Sequence, residues 1–409
     1  MPESADLRKR AGGIVRGREV LLASLVLAVA SALVVPPNSG YADYIDWRTL
    51  SILFCFMACV AGIRSSGVFE AVASRMLERV HGTRDVCAIL VLLPAVFSMF
   101  VTNDVALLTF VPFAVFTLDS IGRRDLIAWV LVLQTLAANL GCMVLPFGSP
   151  HNIFIDSFYS PGLAGFMSVT LPLAAAGFVL LAILVFFRRD SHLRSSPGEA
   201  EKHPVDRPTA VFMTVLFIIS VAAVLRIVPY PLCLIAVVLS IAVFRPRVLL
   251  QVDYGLLATF VLLFVFAGNM SSIGSVHELL ASVMASEPVL GGIAVSQIMS
   301  NVPAAVMLSG FTADWRSMLV GINIGGFGTL IASMASVITF RIYSQEKDAE
   351  TGSYLVLFTV LNIAMIVVLV AAWMLLLRSR SGIRTVFLLN GVTGYQVKQW
   401  QSRMTSSRP

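Results

Sequence analysis

Ser98-Met-Phe-Val-Thr-Asn-Asp-Val105 and Ser296-Gln-Ile-Met-Ser-Asn-Val-Pro303 share one arrangement: a serine, three intervening residues, a hydroxyl residue and an asparagine. Each lies between two short apolar segments, 86–101 and 104–118 around the first and 288–299 and 302–311 around the second. The second pair falls well short of the roughly 20 residues that a helix needs to cross a bilayer. Both pairs therefore read as re-entrant hairpins whose tips stop in mid-membrane. A tip at that depth exposes free carbonyls of the arriving helix and free N–H groups of the departing one, which only protein or a water-filled cavity can satisfy. Serine, threonine and asparagine supply such partners. Their oxygens also coordinate a bare cation, and the N-terminus of the departing helix attracts an anion.

Two further matches flank the tips in the same order. Ala61-Gly-Ile-Arg-Ser-Ser66 pairs with Ala267-Gly-Asn-Met-Ser-Ser272 at the ends of two spans, which open on Asp46-Trp47 and Asp253-Tyr254. Downstream, a long apolar stretch in each half has a glycine-rich break, Asn139-Leu-Gly141 through Asn152 and Asn323-Ile-Gly325 through Ser336. Gly141, Pro146, Gly148 and Pro150 in one, and Gly321, Gly325, Gly326 and Gly328 in the other, let the backbone leave the helix and turn its polar groups toward a tip. Each copy crosses an even number of times, and the span 208–225 between them flips the second. The expected fold is thus an all-α polytopic membrane protein of two inverted-topology repeats, each with a re-entrant hairpin and a broken transmembrane helix.

Composition agrees with a membrane solvent. The chain has 409 residues, 57% apolar and 13% charged, with a mean hydropathy of +0.87. A soluble domain carries about 25% charged residues, so too little polar surface is present to wet a globule. Apolar segments recur from residue 20 to 377 with one sizeable polar gap, 188–207, which excludes a soluble enzyme on an anchor. The other predicted spans are 20–36, 47–62, 125–155, 164–187, 208–225, 229–244, 254–270, 316–340 and 353–377. The net charge of +6 is not a nucleic-acid signal, because the basic residues cluster at segment ends. Arg64, Arg75, Arg79 and Arg84, Arg123 and Arg124, the basic residues of 188–207, and Arg245 and Arg247 mark cytoplasmic connections, and the N-terminus with them. Residues 125–187 and 248–315 contain no Lys or Arg, so the loops near 156–163 and 271–287 should face outward. Trp47, Trp129, Trp315 and Trp373 near span ends read as interfacial anchors. Counting crossings leaves the tail after Leu377 outside, although it carries Arg378, Arg380, Arg384, Lys398, Arg403 and Arg408, so either the tail violates the positive-inside tendency or the count is off by one span. Cys55, Cys59, Cys87, Cys142 and Cys233 fall in apolar segments with no disulfide or metal-ligand spacing.

The organisation follows. A cytoplasmic tail (1–18) precedes a first repeat (19–188) with its hairpin near 86–118 and its broken helix at 125–155. A cytoplasmic loop and linking span (189–226) lead to a second repeat (227–378), with its hairpin near 288–311 and its broken helix at 316–340, and to a basic C-terminal tail (379–409).

Val101-Thr-Asn-Asp-Val-Ala106, Ala138-Asn-Leu-Gly141, Pro146-Phe-Gly-Ser-Pro-His-Asn152, Ser300-Asn-Val-Pro303 and Gly321-Ile-Asn-Ile-Gly-Gly-Phe-Gly-Thr329 resemble the ion transporter superfamily over about residues 20–378. Within it the chain is similar to the citrate-transporter-like and arsenite-efflux-like permeases. The resemblance implies transport by an elevator-like movement, with no cofactor beyond Na+ or H+ as coupling ion, in a bacterial inner membrane, and it allows a homodimer. By position in the related dicarboxylate/sodium symporters, it assigns one sodium site to Ser98, Thr102, Asn103 and the break near Gly148, and a second to Ser296, Ser300, Asn301 and the break near Ala332. The threonine that follows each asparagine in those symporters is Asp104 here at the first tip and Val302 at the second, a departure that favours the arsenite-type branch.

The candidate substrate- and ion-binding residues are accordingly Ser98, Thr102, Asn103, Asp104, Asn139, Gly148, Ser149 and Asn152, with Ser296, Ser300, Asn301, Asn323, Gly328, Thr329 and Ser333. Asp104 reads either as a coupling carboxylate or as the cap of the second hairpin arm. His151 reads as a proton relay or as a solvated side chain, and Asn139 and Asn323 as site residues or interhelical glue. Glu70, Arg75, Glu78 and Arg79 belong to an interfacial amphipathic helix. The expected activity is secondary transport of a small anion. A Na+/H+ antiporter is the alternative, a channel follows, and no convergent catalytic set, metal motif or nucleic-acid module argues for an enzyme or a nucleic-acid partner.

Overall fold

The structure, a computed structural model, describes residues 19–37, 40–77, 80, 82–187 and 205–383. The expected N-terminal tail, the C-terminal tail beyond Ile383, most of the 188–207 connection, and Glu78 and Arg79 lie outside them. The described residues form an all-α polytopic membrane protein with seven helices long and apolar enough to cross a bilayer.

Helix α1 (Glu19–Val34) precedes α2 (Trp47–Ser65), whose cap Asp46 accepts from the Thr49 backbone N–H at 3.1 Å and its hydroxyl at 2.6 Å. The amphipathic α3 (Val68–Leu77) leads to the first hairpin, α4 (Thr83–Ser98) and α5 (Asn103–Ser120). The 125–155 stretch breaks into α6 (Ile127–Cys142) and α7 (Pro150–Tyr159), followed by α8 (Gly162–Phe186). Helix α9 (Arg207–Val224) links this half to α10 (Tyr230–Phe244) and α11 (Tyr254–Ser272), the latter capped by Asp253. Then come α12 (Gly274–Ser286), the second hairpin α13 (Pro288–Met299) and α14 (Asn301–Leu308), the broken pair α15 (Trp315–Gly325) and α16 (Met334–Ser344), and α17 (Thr351–Ile383). The 271–287 segment, expected as a loop, is thus mostly helix. Its serines and glycines conceal a short helix that packs on α11 and α13 as α3 packs on α2 and α4.

The element order of α1–α8 recurs in α10–α17, and so do the contacts. Helix α1 packs on α11 as α10 packs on α2, and α4 packs on α6 as α13 packs on α15. Glycine makes the second pair of crossings close. A Cβ at Gly141 would lie 2.0 Å from the Ala95 carbonyl oxygen and 2.3 Å from Ser98 Oγ, and one at Gly325 would lie 2.5 Å from Ser296 Oγ. Small residues at helix contacts suit a solvent in which burial of apolar surface gives no drive and packing must supply it. Helix α6 is buried almost all round, whereas Val179, Ile183 and Phe186 on α8 and Val356, Val360, Ile363 and Val367 on α17 are exposed at helical spacing, as lipid-facing stripes.

Prolines inside the first hairpin are compensated one by one. Pro94 removes the N–H that would bond the Leu90 carbonyl, and Gln134 Nε2 donates to that oxygen at 2.8 Å. Pro112 does the same to the Leu108 carbonyl, which Arg64 approaches at 3.4 Å.

Arginines lie at both ends of the bundle but more of them at one. Arg64, Arg123, Arg124, Arg207, Arg245 and Arg247 mark that basic face, where the Asp206 N–H donates to the Ser66 carbonyl and Arg245 to Thr209 Oγ1, while Arg48 and Arg226 line a cavity with Asp46 and Ser157 at the other. Arg124 reaches Glu346 and Asp348 at 3.3 Å, so α17 starts on this basic face. From there α17 is long and apolar enough to cross a bilayer. On the opposite face Ser157 donates to the cap Asp46 at 2.9 Å, and Asn269 donates to Ser31 and Tyr41, each at 3.0 Å. Two of the four expected aromatic anchors are in fact packing residues, since Trp315 and Trp373 are buried.

Ser300, at the second tip, has φ +74° and ψ 154°, a region that only glycine occupies freely. Replacing it with glycine relieves that strain, whereas alanine removes the same hydroxyl and keeps it. Ser300→Gly should therefore be more stable than Ser300→Ala by about 1–3 kcal/mol in thermal unfolding of the purified protein. Gly141→Ala should lower stability by about 2 kcal/mol, because its Cβ meets backbone that cannot rotate away. Gly352→Ala, with open space around it, should stay within about 0.5 kcal/mol.

Candidate functional site

The first tip ends α4 and opens α5. Ser98, in the last turn of α4, is buried and donates to the Ala95 carbonyl at 3.0 Å, so it faces α6 and not the tip. Thr102 occupies the cap position of α5, and Asn103 is its first residue. Asp104 follows and makes no cap contact. One of its carboxylate oxygens is buried without a hydrogen-bond partner, which overturns the capping reading.

Asn103 Nδ2 donates to Asn139 Oδ1 at 2.9 Å, and Asn139 Nδ2 donates in turn to the Gly326 carbonyl at 3.3 Å in the second break. Ser333, which precedes α16, adds a contact to Asn139 Oδ1 at 3.4 Å. The second tip reaches the same place from the other side: a Cβ at Gly326 would meet Asn301 Nδ2 at 2.8 Å. Ser300 Oγ lies 3.4 Å from the Ala332 carbonyl, so the second tip and its own break are in contact as expected. Two asparagines about 200 positions apart are thereby joined through Asn139 and Gly326.

A second network mirrors the first. Asn323 and Asn152 exchange hydrogen bonds, 2.8 Å in one direction and 3.3 Å in the other, and Asn152 also donates to the Cys142 carbonyl at 3.1 Å. His151 Nε2 sits 3.3 Å from Asn323 Oδ1 and 3.1 Å from Ser149 Oγ. The solvated reading of His151 fails, because its ring is buried inside this network. In both networks an asparagine on the first half of one broken helix meets the break of the other repeat.

The remaining expected residues divide. Gly148 abuts the Cys142 backbone and permits the tight turn before Ser149. Ser296 is buried against Gly325. Gly328 and Thr329 do not reach the networks. The Gly328 N–H donates to Asn362 Oδ1 at 3.2 Å, and the Thr329 N–H to Gln297 Oε1 at 2.8 Å. Gln134, Gln297 and Asn362 escaped sequence reasoning. The available signal was a carboxamide inside an apolar run, which in lipid needs a backbone partner.

A cavity of about 130 Å³ reaches the first tip, lined among others by Met57, Arg64, Thr102, Phe147 and Asp253. It lies between α2, the first tip and the start of α11, toward the basic face. Between α2, α7, α11 and α14 lies a second cavity of about 380 Å³, lined among others by Asp46, Arg48, Ser157, Arg226 and Phe264. No Lys or Arg belongs to either network. Positive potential comes instead from the N-termini of α5, α7, α14 and α16, which all begin at a tip or a break. Among the described residues there is no cluster of His, Cys, Asp and Glu fit to hold a metal ion.

Comparison with known proteins agrees with this architecture. A family profile described as Citrate transporter matches residues 14–314. The inner membrane protein YbiR of Escherichia coli (strain K12) is 29% identical over 79% of this chain and 87% of its own. An uncharacterized transporter of Methanocaldococcus jannaschii is 28% identical over 80% of this chain and 89% of its own. Silicon efflux transporter LSI3 of Oryza sativa subsp. japonica is 27% identical over 38% of this chain and 32% of its own. With a family match over most of its length and a bundle of membrane-crossing helices around buried polar networks, the chain belongs to the citrate transporter family and is a multi-pass membrane transporter.

Proposed function

We propose that the protein is a secondary active transporter that moves a small anion across a bacterial inner membrane, coupled to Na+ or H+, by elevator-like alternating access between two inverted repeats. The observation that carries this reading is the meeting of both tips and both breaks in one buried polar region. Four helix N-termini there favour an anion, each with the equivalent of about half a positive charge. With no cationic side chain in the networks, a co-bound cation would strengthen anion binding, which is coupling in its simplest form. The printed name of the rice relative, a silicon efflux transporter, fits a small cargo.

Alternating access is supported by cavities toward both faces, one of about 130 Å³ at the first tip and one of about 380 Å³ lined from α2, α7, α11 and α14. Relative movement of the hairpins and broken helices against α1, α2, α10 and α11 would enlarge one and close the other. The Na+/H+ antiporter is the second reading, favoured by the unpartnered oxygen of Asp104, which could hold either cation in turn.

Uptake of a panel of labelled anions into proteoliposomes under imposed sodium and proton gradients tests the reading. Gradient-driven flux of at least one small anion is expected, and flux indifferent to both gradients would leave a channel. If protons couple, Asp104→Asn should keep flux but remove its pH dependence. If sodium couples, the variant should keep a sodium-driven component, and Thr102→Ala should weaken sodium dependence about tenfold. Orientation is tested separately. With the native cysteines replaced, a cysteine at exposed position 279 should react with an impermeant reagent from outside, and one at 247 only from the cytoplasm.

A further inference from the structure

The flank of α4 that faces α8 is not filled by protein. Between the two helices lies a groove of about 580 Å³, with the buried Ala137 of α6 at its base. Asp85, Ala88, Leu92, Val96 and Met99 follow one another along it every three or four residues. The groove therefore runs the length of the first hairpin arm, about 21 Å at a rise of 1.5 Å per residue. That covers the depth of one leaflet, half of a hydrocarbon core about 30 Å thick. Ala88, Ala95 and Ala182 leave room where larger side chains would close the gap, and Leu92, Val96 and Phe186 beside them are exposed, so the groove opens sideways to lipid.

Its two ends are chemically unlike. One reaches Met99, next to Ser98 at the first tip. The other holds Arg84 and Asp85 and lies on the basic face, since Arg123 donates to the hydroxyl of the adjacent Thr83 at 3.3 Å. An acyl chain suits the apolar length, but in leaving bulk lipid for the groove it exchanges one apolar surface for another and gains little. Selectivity must come from the headgroup end. There the Arg84 guanidinium lies over the Phe186 ring, 5.2 Å from its centroid, which holds it at the mouth. A guanidinium in that place suits a phosphate. Asp85, exposed in the first turn of α4, lines the same mouth. Its carboxylate repels a second negative charge and accepts hydrogen bonds from an ammonium. A zwitterion whose cationic group carries N–H donors satisfies both.

We propose that this groove binds one phospholipid with a primary-amine headgroup, its acyl chain lying along α4 toward the first tip, its phosphate at Arg84 and its ammonium at Asp85. The lipid would support the flank of the first hairpin that faces α8, whatever the cargo and coupling ion of transport.

The test uses the full chain purified in detergent and stripped of lipid. It is incubated with phosphatidylethanolamine, phosphatidylcholine or phosphatidylglycerol of identical acyl chains, and bound lipid is counted by native mass spectrometry. One phosphatidylethanolamine per chain should bind about tenfold tighter than either of the others. Asp85→Asn should abolish the preference for the primary over the quaternary amine, and Arg84→Ala should weaken binding of phosphatidylethanolamine about tenfold. Ala182→Trp, which fills the groove from α8, should lose the lipid, whereas Val179→Trp, on the exposed stripe of the same helix, should keep it. Equal, unsaturable binding of the three lipids by the wild-type chain would overturn the proposal whether or not the variants fold. So would tighter binding of phosphatidylglycerol, or a monodisperse Ala182→Trp protein that retains the lipid. A lipid-free dimer that Ala182→Trp disperses would put a second copy of the chain in the groove instead.

Discussion

Inside a bilayer a backbone carbonyl or N–H without a partner costs several kcal/mol, and this chain buries two hairpin tips and two helix breaks within its bundle of membrane-crossing helices. Most of the buried polar side chains described above answer that one demand. Gln134 repairs what Pro94 removes, Asn152 takes the Cys142 carbonyl, Asn139 takes that of Gly326, and Gln297 closes the second break. Interrupting a helix at mid-depth is a cost that a purely structural bundle avoids. The interruptions concentrate dipoles, exposed carbonyls and carboxamides in one small volume, and ion and anion chemistry needs those groups in a medium that otherwise excludes them.

The hairpins stay in position because their first arms lie unusually close to the broken helices. Gly141 against Ala95, and Gly325 against Gly292 and Ser296, bring backbones together at a distance that any side chain would prevent. Each tip asparagine is thereby held beside a break. The hydrophobic effect that gathers a soluble core contributes little between helices in lipid, so shape and polar contacts carry the specificity of the assembly.

Much of this was legible in the sequence. Apolar length gave most of the helices, and the paired tips and glycine-rich breaks named several of the residues that meet. What escaped has physical reasons. Periodicity does not show which half of a molecule a carboxamide will reach, so the crossing of Asn139 to the second break and of Asn323 to the first could not be read. Local spacing left a cap open as one of two readings of Asp104, but in three dimensions Thr102 holds that position and Asp104 is left with a buried, unpartnered oxygen. For His151, beside Pro150 near a span end, the sequence left a proton relay and a solvated side chain open, and its ring is buried against Asn323 and Ser149. The helix at 274–286 was hidden because its composition resembles a linker.

The crossed pairing of asparagines and breaks bears on how such a chain could have arisen. Asn139 finds its carbonyl in the second half, and Asn323 finds its amide partner in the first. A protein consisting of one half alone would keep Asn103 beside Asn139, and the Leu319 carbonyl beside Asn323, but would lose these cross-half partners. A second copy of itself could restore them, and a single chain that holds both halves would make such an association permanent.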